Sequence, residues 1–266
     1  MMRRLSLGVA FWLLAGAALA ADALPPPPDL NQRVGFDQHI GDTVPLALDF
    51  RDANDREVSL RGLAHGKPLL LALGYYRCKN LCGVVLQGMA HSVAAMALRP
   101  GSDYAVAFVS IDPRETPADA AASQRRAAGM APHAEVADWH FLTGGAAAIR
   151  ELTHAVGYRY FYDPRIDQFA HAAGVVVLAG DGRVAQYLFG VQFPPRTLRL
   201  ALVGASHGRL GNVIDQLVLL CCGYDPSTGR YSLLIGRVMQ VLGGASVLLL
   251  GLALLCLHRR RGGVPP

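Results

Sequence analysis

The chain has few charged residues. Asp, Glu, Lys and Arg make up 17% of its 266 residues and hydrophobic residues 52%, which excludes an intrinsically disordered protein and allows a sizeable core. The formal charge is +5, but the basic residues are scattered or lie near the two ends, and no Lys/Arg run alternates with aromatic residues. We therefore expect no nucleic-acid partner. The sequence also lacks a peroxidatic motif, which disfavours a peroxidase.

The N-terminal segment has the pattern of a secretory signal peptide. Arg3 and Arg4 precede an apolar run over residues 5–19, and Ala18-Leu19-Ala20 forms a small-x-small cleavage site. An uncleaved N-terminal anchor is the alternative, although the run is short for a span of about 20 residues. We predict a cleaved signal peptide over residues 1–20, followed by a stiff proline-rich linker over residues 21–34.

The C-terminal segment has the pattern of a membrane helix. Residues 238–257 are apolar except for Gln240, and His258 and three arginines follow directly. A buried core helix is the alternative, but it would rarely be so long and end in three arginines. Basic flanks stay in the cytoplasm, so residues 258–266 form a predicted cytoplasmic tail and the main domain faces the periplasm. The signal-peptide pattern independently predicts the same topology in the inner membrane.

Between these ends, apolar β-rich runs alternate with helical patterns. The runs cover residues 45–50, 68–74, 104–111, 139–142, 173–178 and 184–189. Helical patterns follow the cysteine segment, start near Thr116 with Pro117 first, and cover residues 145–156 and 195–206. Gly180-Asp181-Gly182 predicts a hairpin turn between the last two runs.

This order predicts the fold class and the limits of the domain. Strands that alternate with helices, followed by a hairpin and a final helix, are typical of an α/β sandwich with a central mixed sheet. We predict a thioredoxin-like domain over residues 35–206. Residues 207–237 show no clear period and are predicted to connect this domain to the membrane helix.

Cys78 and Cys82 follow the second apolar run. Residues four apart meet on one face if a helix begins between them, and a helix N-terminus stabilises thiolates. Three interpretations are open. A structural disulfide suits an oxidising compartment, but so small a loop stabilises little. A redox-active dithiol usually has two intervening residues rather than three. A soft metal site is the third, because thiolates select Cu(I) and two thiolates leave one coordination position open.

His171 is the candidate for that position. It lies just before the run at residues 173–178, and in a thioredoxin-like sheet the loop that enters this strand passes beside the helix end that carries the cysteines. A lone histidine is more often a surface or packing residue than a ligand. Position alone therefore leaves both interpretations of His171 open.

Four segments occur in an order that resembles the Sco/SenC family of copper proteins, which take part in cytochrome c oxidase assembly. They are Cys78-x-x-x-Cys82, residues 109–117 (Val-Ser-Ile-Asp-Pro-Arg-Glu-Thr-Pro), residues 139–144 (Trp-His-Phe-Leu-Thr-Gly), and His171 ahead of the apolar run. Together they cover most of residues 40–200. The resemblance implies a thioredoxin-like fold in which Cys78, Cys82 and His171 bind copper, as Cu(I) or also as Cu(II).

Two functions are compatible with this resemblance. The first is a copper metallochaperone, a carrier rather than an enzyme, which passes Cu(I) to the dinuclear copper centre of the oxidase. Its partner would be the copper-bearing oxidase subunit or another copper chaperone. The second is a thiol-disulfide oxidoreductase that reduces a client's cysteines with Cys78 and Cys82 as the redox pair. A reductase does not need His171, whereas a copper carrier does.

Two features depart from the family pattern. Gly83 follows the second cysteine where the family usually has proline, so the cysteine loop is less rigid but keeps its ligands. Many family members are anchored by an N-terminal helix, whereas the apolar segment of this chain is C-terminal.

Three further side chains have an open role. Asp112 precedes Pro113 and either shapes a turn or orients a metal ligand without binding the metal itself. Cys221 and Cys222 lie outside the predicted domain, and a bridge between neighbours would be strained. Their roles as ligands, redox groups or idle residues stay open.

Overall fold

The computed structural model describes residues 30–78, 81–131 and 134–209, the pairs 224–225 and 230–231, and residue 246. The chain divides into two units, residues 1–33 and 34–266. In the first unit the described part is a single helical turn, Leu30–Arg33 (α1), at the end of the predicted linker. All other described elements belong to the second unit.

The second unit contains five described α-helices and twelve short strands. The helices are α2 Leu60–Ala64, α3 Leu81–Ala94, α4 Pro117–Met130, α5 Ala146–Ala155 and α6 Pro195–Ser206. The strands are β1 Gly35–Phe36, β2 Asp49–Arg51, β3 Glu57–Ser59, β4 Leu69–Gly74, β5 Ala105–Ser110, β6 Trp139–Leu142, β7 Tyr158–Asp163, β8 Gln168–His171, β9 Gly174–Leu178, β10 Val184–Phe189, β11 Tyr224–Asp225 and β12 Arg230–Tyr231.

A five-stranded mixed sheet forms the centre of the domain, in the order β10-β9-β4-β5-β6. Strands β4, β5 and β6 are parallel, whereas β9 is antiparallel to β4 and β10 is antiparallel to β9. Every residue of β4, β5 and β9 is buried, as expected of sheet strands that are covered on both faces and therefore read as continuous apolar runs. The predicted α/β class and mixed central sheet are present.

Helix α3, which begins between the two cysteines, is central to the helical packing. It contacts α4 and α6, while α4 packs on β6 and α6 packs on β9 and β10. Val85, Met89 and Val93 of α3 are buried, in keeping with their helical spacing. Val84 is 43% exposed because it lies on the opposite side of the helix.

A second sheet, with the order β1-β7-β8, was not predicted. Its strand β7 has the sequence Tyr-Arg-Tyr-Phe-Tyr-Asp and is partly exposed, so it lacks the aliphatic run that marks the central strands. The sheet nevertheless carries the predicted ligand His171. Its antiparallel β7–β8 hairpin ends at His171, which pairs with Tyr160.

The run at residues 45–50 was predicted as a strand, and this prediction is only partly correct. The strand begins at Asp49 and extends to Arg51, while residues 46 and 47 form a turn. Leu46 is nevertheless buried, so the apolar pattern reflects packing against the core rather than an extended backbone. The short strand pairs with β3 in a small hairpin.

The predicted membrane segments lie almost entirely outside the described residues. Residues 1–20 are not described, and of residues 238–257 only Ser246 is. In the part of the chain that the structure describes, no helix is long and apolar enough to cross a membrane. Cys221 and Cys222 also lie outside the described residues, so all of these assignments stay predictions.

Gly88, in the middle of α3, provides a test of the packing. A Cβ atom there would lie 1.9 Å from the carbonyl oxygen of Val191, in the loop after β10. We expect Gly88→Ala to lower the free energy of unfolding by at least about 2 kcal/mol, because the loop must move away from α3. Chemical denaturation measures the change.

Gly204→Ala in α6 is the matched control. A Cβ at this position meets no atom within 4 Å. The substitution should therefore raise the free energy of unfolding by about 0.5–1 kcal/mol, through the higher helix propensity of alanine. Similar effects of the two substitutions would contradict the close approach of α3 and the loop.

Candidate metal centre

The structure brings Cys78, Cys82 and His171 together. One ligand atom from each, the two Sγ atoms and an imidazole nitrogen, lies within 4.8 Å of the others. The Sγ of Cys82 is 3.2 Å from Nε2 of His171. Two thiols and one imidazole form a soft donor set that could hold copper, since thiolate ligands favour Cu(I) and imidazole suits copper in both oxidation states.

The two cysteines are placed by the junction between β4 and α3. Strand β4 ends at Gly74, and α3 begins at Leu81, between the cysteines. Gly74 makes room at the strand end, because a Cβ there would lie 3.2 Å from Sγ of Cys82 and 2.9 Å from the Phe108 ring. Cys82 therefore packs directly against the end of β4.

A buried carboxylate fixes the loop that leads to Cys78. Glu115 accepts hydrogen bonds from the backbone N–H groups of Tyr76 at 2.8 Å and Arg77 at 2.6 Å. It also accepts one from the hydroxyl of Ser110, at the end of β5, at 2.6 Å. Burial raises the pKa of Glu115, and these hydrogen bonds oppose the rise. The carboxylate thus joins the loop to the neighbouring strand.

Glu115 was not among the site residues predicted from the sequence. It lies in the 109–117 segment, but its partners Tyr76 and Arg77 are 39 and 38 residues away along the chain. The available signal was weak: an acidic residue between the strand at residues 104–111 and the helix from Pro117. Burial distinguishes it, because a carboxylate that is only 5% exposed needs hydrogen-bond donors.

The two thiols differ in burial. Cys82 is only 6% exposed, whereas Cys78 is half-buried, and both are reduced. The neighbouring Cys78 thiol and burial both raise the pKa of Cys82. The expected stabilisation of a thiolate by the helix N-terminus is therefore outweighed at Cys82. A bound cation would reverse this balance, because it stabilises the deprotonated form of its thiol ligands.

The hydrogen bonds of His171 select one tautomer. Its Nδ1 lies 3.0 Å from the carbonyl oxygen of Ala172 and 2.8 Å from the hydroxyl of Tyr158. Because a carbonyl oxygen only accepts, Nδ1 carries the proton, and Nε2 is left with a lone pair that faces Cys82. This is the tautomer in which a histidine binds a metal through Nε2.

Tyr158 holds the His171 imidazole at Nδ1, while Nε2 faces Cys82. Its hydroxyl is also within 2.9 Å of the carbonyl oxygen of Ala172 and 3.2 Å of that of Leu73, at the end of β4. Burial raises the pKa of Tyr158 well above its usual value, so the hydroxyl stays protonated. It can donate to one carbonyl while it accepts from Nδ1 of His171. The hydroxyl thus connects β4, β7 and the end of β8.

Aromatic rings cover the outer side of the site. Tyr75 packs edge-on against His171, with ring centroids 5.7 Å apart, and against Phe169, with centroids 5.6 Å apart. Phe169 contacts Tyr160 and Tyr162 of the adjacent strand. These rings limit the movement of the imidazole and reduce its contact with water.

Asp112 was predicted either to shape a turn or to orient a ligand. The structure shows the turn: the buried carboxylate accepts from the backbone N–H of Arg114 at 2.9 Å and from its Nε at 2.8 Å. Its effect on the site is indirect. Arg114 contacts Asp167 at 3.2 Å and lies over the rings of Tyr162 and Phe169, so it braces the hairpin that carries His171.

A family comparison matches most of the domain. The model of the SCO1/SenC family matches residues 44–202. This range contains the two cysteines, Glu115 and His171. A search of curated proteins found no match.

Solved structures share the fold. Two candidate electron transfer or transport proteins from Aquifex aeolicus are 23% and 22% identical to the chain, with TM-scores of 0.57 and 0.54. The alignments cover 64% and 63% of this chain and 95% and 99% of those proteins. ScoI of Arabidopsis thaliana, solved with copper bound, is 18% identical, with a TM-score of 0.50 and coverage of 64% and 99%. The α/β, thioredoxin-like fold with a mixed sheet fits these proteins.

Tyr158→Phe tests how the imidazole is held. We expect copper affinity to fall by about tenfold or more, because a group that orients a metal-binding histidine typically contributes this much. The fold should persist, since the ring stays buried. Competition titration measures the affinity, and circular dichroism checks the fold.

Tyr160→Phe is the control, since the Tyr160 hydroxyl interacts with Thr153 rather than with His171. We expect this substitution to leave copper affinity within about twofold of the original protein. Equal affinities of the Tyr158 and Tyr160 variants would show that the Tyr158 hydroxyl does not position His171.

Proposed function

The chain belongs to the SCO1/SenC family, and from this premise we propose that it is a membrane-anchored periplasmic copper metallochaperone. It binds Cu(I) with Cys78, Cys82 and His171 and delivers it to the dinuclear copper centre of cytochrome c oxidase during assembly. One observation carries the proposal: three soft donor atoms from two distant segments lie within 4.8 Å of one another. Its partner is the copper-bearing oxidase subunit or another copper chaperone.

The burial of the ligands suggests the order of transfer. Buried Cys82 is the least accessible ligand, while Cys78 is half-buried and open to an incoming group. Imidazole binds Cu(I) less tightly than thiolate does. His171 therefore dissociates first, and the copper then moves from one thiolate to the next without a change of oxidation state.

A second function is supported by the cysteine pair itself. The two sulfurs lie within the same 4.8 Å limit, and both are thiols, so they can form a disulfide after a modest shift. A thiol-disulfide oxidoreductase would pass two electrons and two protons from this pair to a client's disulfide. Such a reductase has no use for the hydrogen bonds that hold His171 in a metal-binding tautomer.

Substitutions of the three proposed ligands should change copper binding in different ways. Cys78→Ser and Cys82→Ser replace a soft thiolate by a hard, mostly protonated hydroxyl, so each should essentially abolish Cu(I) binding. His171→Ala leaves both thiolates and should weaken Cu(I) binding by at least about tenfold, with a larger loss for Cu(II), which prefers nitrogen ligands. Competition titrations with both ions measure these changes.

His154→Ala, on the exposed side of α5, is the histidine control and should match the original protein. The reductase function predicts a different pattern. Under it, His171→Ala would resemble His154→Ala in copper affinity and in oxidase activity in cells, and dithiol exchange with a client would be the sensitive quantity. That result would remove the metallochaperone proposal.

The proposed topology rests on the signal-peptide pattern and on the arginines that follow residues 238–257. A reporter enzyme that is active only in the periplasm should be active when fused near Gly208. The same reporter fused after Pro266 should be silent, because this end is proposed to be cytoplasmic. Activity at both positions would contradict a membrane helix between them.

A further inference from the structure

A cavity of about 480 Å³ lies beside the two cysteines, between α3 and α4. Both Cys78 and Cys82 line it, and Leu86 and Phe108 form part of its apolar wall. His171 does not line this cavity, and it reaches the Cys82 sulfur from the end of β8 instead. The cysteines therefore have the proposed third ligand in one direction and an accessible space in another.

Helix α4 supplies the opposite wall. Ser123, Arg126 and Met130 line the cavity, and their spacing of three and four residues places them on one face of the helix. Met130 is 48% exposed and lies at the rim. Gly83 leaves the cavity wall open, since a Cβ at this position would meet no atom within 4 Å. The proline that the family usually has here would occupy some of this space.

Arg126 gives the cavity its charge. Among the described lining residues it is the one with a charged side chain. Its Nη2 donates a hydrogen bond to the carbonyl oxygen of Tyr76 at 3.1 Å, which holds the guanidinium over the loop before Cys78. No carboxylate lies within ion-pair distance of it in the described residues. The remaining N–H groups suit a carboxylate, because guanidinium and carboxylate match in geometry.

We propose that this cavity binds a low-molecular-weight thiol that carries a carboxylate. Its carboxylate pairs with Arg126, its short apolar arm lies along Phe108 and Leu86, and its sulfur reaches the two cysteines. The volume is within the range of small-molecule sites. The inference rests on the proposed copper carrier and adds the class of molecule that exchanges copper with it.

The exchange needs no oxidant. The bound thiol loses its proton to water, and its sulfur forms a bond to Cu(I) as the bond from Nε2 of His171 breaks. One cysteine thiolate then dissociates and takes up a proton from water, and a second molecule of the thiol releases a proton and displaces the other cysteine thiolate in the same way, so that Cu(I) leaves bound to two thiolates. Copper stays in the +1 state, and the numbers of protons released and taken up are equal. Loading of the protein is the same sequence in reverse.

The first experiment compares two thiols of similar size, 3-mercaptopropionate and neutral 2-mercaptoethanol, as they remove Cu(I) from the full-length protein. The rate ratio of the two thiols corrects for their different intrinsic reactivity when it is compared between variants. Arg126→Gln should lower this ratio by about two- to fivefold, the range of an exposed ion pair, and salt should reduce the difference. Arg125→Gln, an exposed neighbour that does not line the cavity, should leave the ratio unchanged.

Equal ratios in the original protein and in both variants would overturn the proposal. So would the same decrease in both variants, since this would indicate a general effect of charge rather than the cavity.

The second experiment uses the copper-free full-length protein, so it does not depend on the proposed function. A titration with 3-(methylthio)propionate, which has the same carboxylate but cannot exchange as a thiol, should shift the amide resonances of Gly83, Ser123 and Arg126. Arg126→Gln should abolish these shifts. Shifts that are absent, or that centre on Ala170 and Ala172 at the His171 side, would contradict the cavity as the site. If the protein failed to bind copper but the amide resonances still shifted, only the proposed copper-carrier function would be contradicted.

Discussion

The contact between the Cys82 sulfur and Nε2 of His171 joins residues 89 positions apart, and the surrounding structure is arranged to hold it at 3.2 Å. Each partner is fixed from its own side. Cys82 is in the first turn of α3 and packs against the end of β4. His171 ends the β7–β8 hairpin, and the Tyr158 hydroxyl ties it to the carbonyl of Leu73 in β4. Strand β4 is thus the common support of both proposed ligands.

Because the Cys82 thiol is buried, its protonation state depends on whether a cation lies beside it. The thiol of Cys82 is nearly inaccessible, and its raised pKa means that the neutral form is favoured while no cation is nearby. A soft monovalent cation changes the balance, because it coordinates both thiolates and neutralises one of their two negative charges. The buried carboxylate of Glu115 lies behind the backbone of Tyr76 and Arg77 rather than at the sulfurs, so it positions the loop without competing as a ligand.

Secondary-structure elements that have a local sequence signal were predicted correctly. Strands β6 and β10 and helix α6 were predicted at the residues where they occur, because apolar runs, glycine turns and an early proline mark their ends. Strands β7 and β8 were missed, since they mix aromatic and polar residues, are only partly buried and lack an aliphatic run. Residues 45–48 were predicted as strand because they include the apolar residue Leu46. Leu46 is buried, but it lies in a turn that places its side chain in the core.

The proposed ligands and the residues that hold them differ in how well the sequence predicted them. The cysteine spacing and the position of His171 could be read from the chain, whereas Glu115 and Tyr158 act through backbone groups that only the folded structure brings near. X-ray absorption spectroscopy of the Cu(I)-loaded protein tests the central claim most directly. The account predicts two sulfur atoms and one nitrogen around copper, with the nitrogen lost in His171→Ala. A sulfur-only environment in the original protein, or identical spectra for the two proteins, would contradict it.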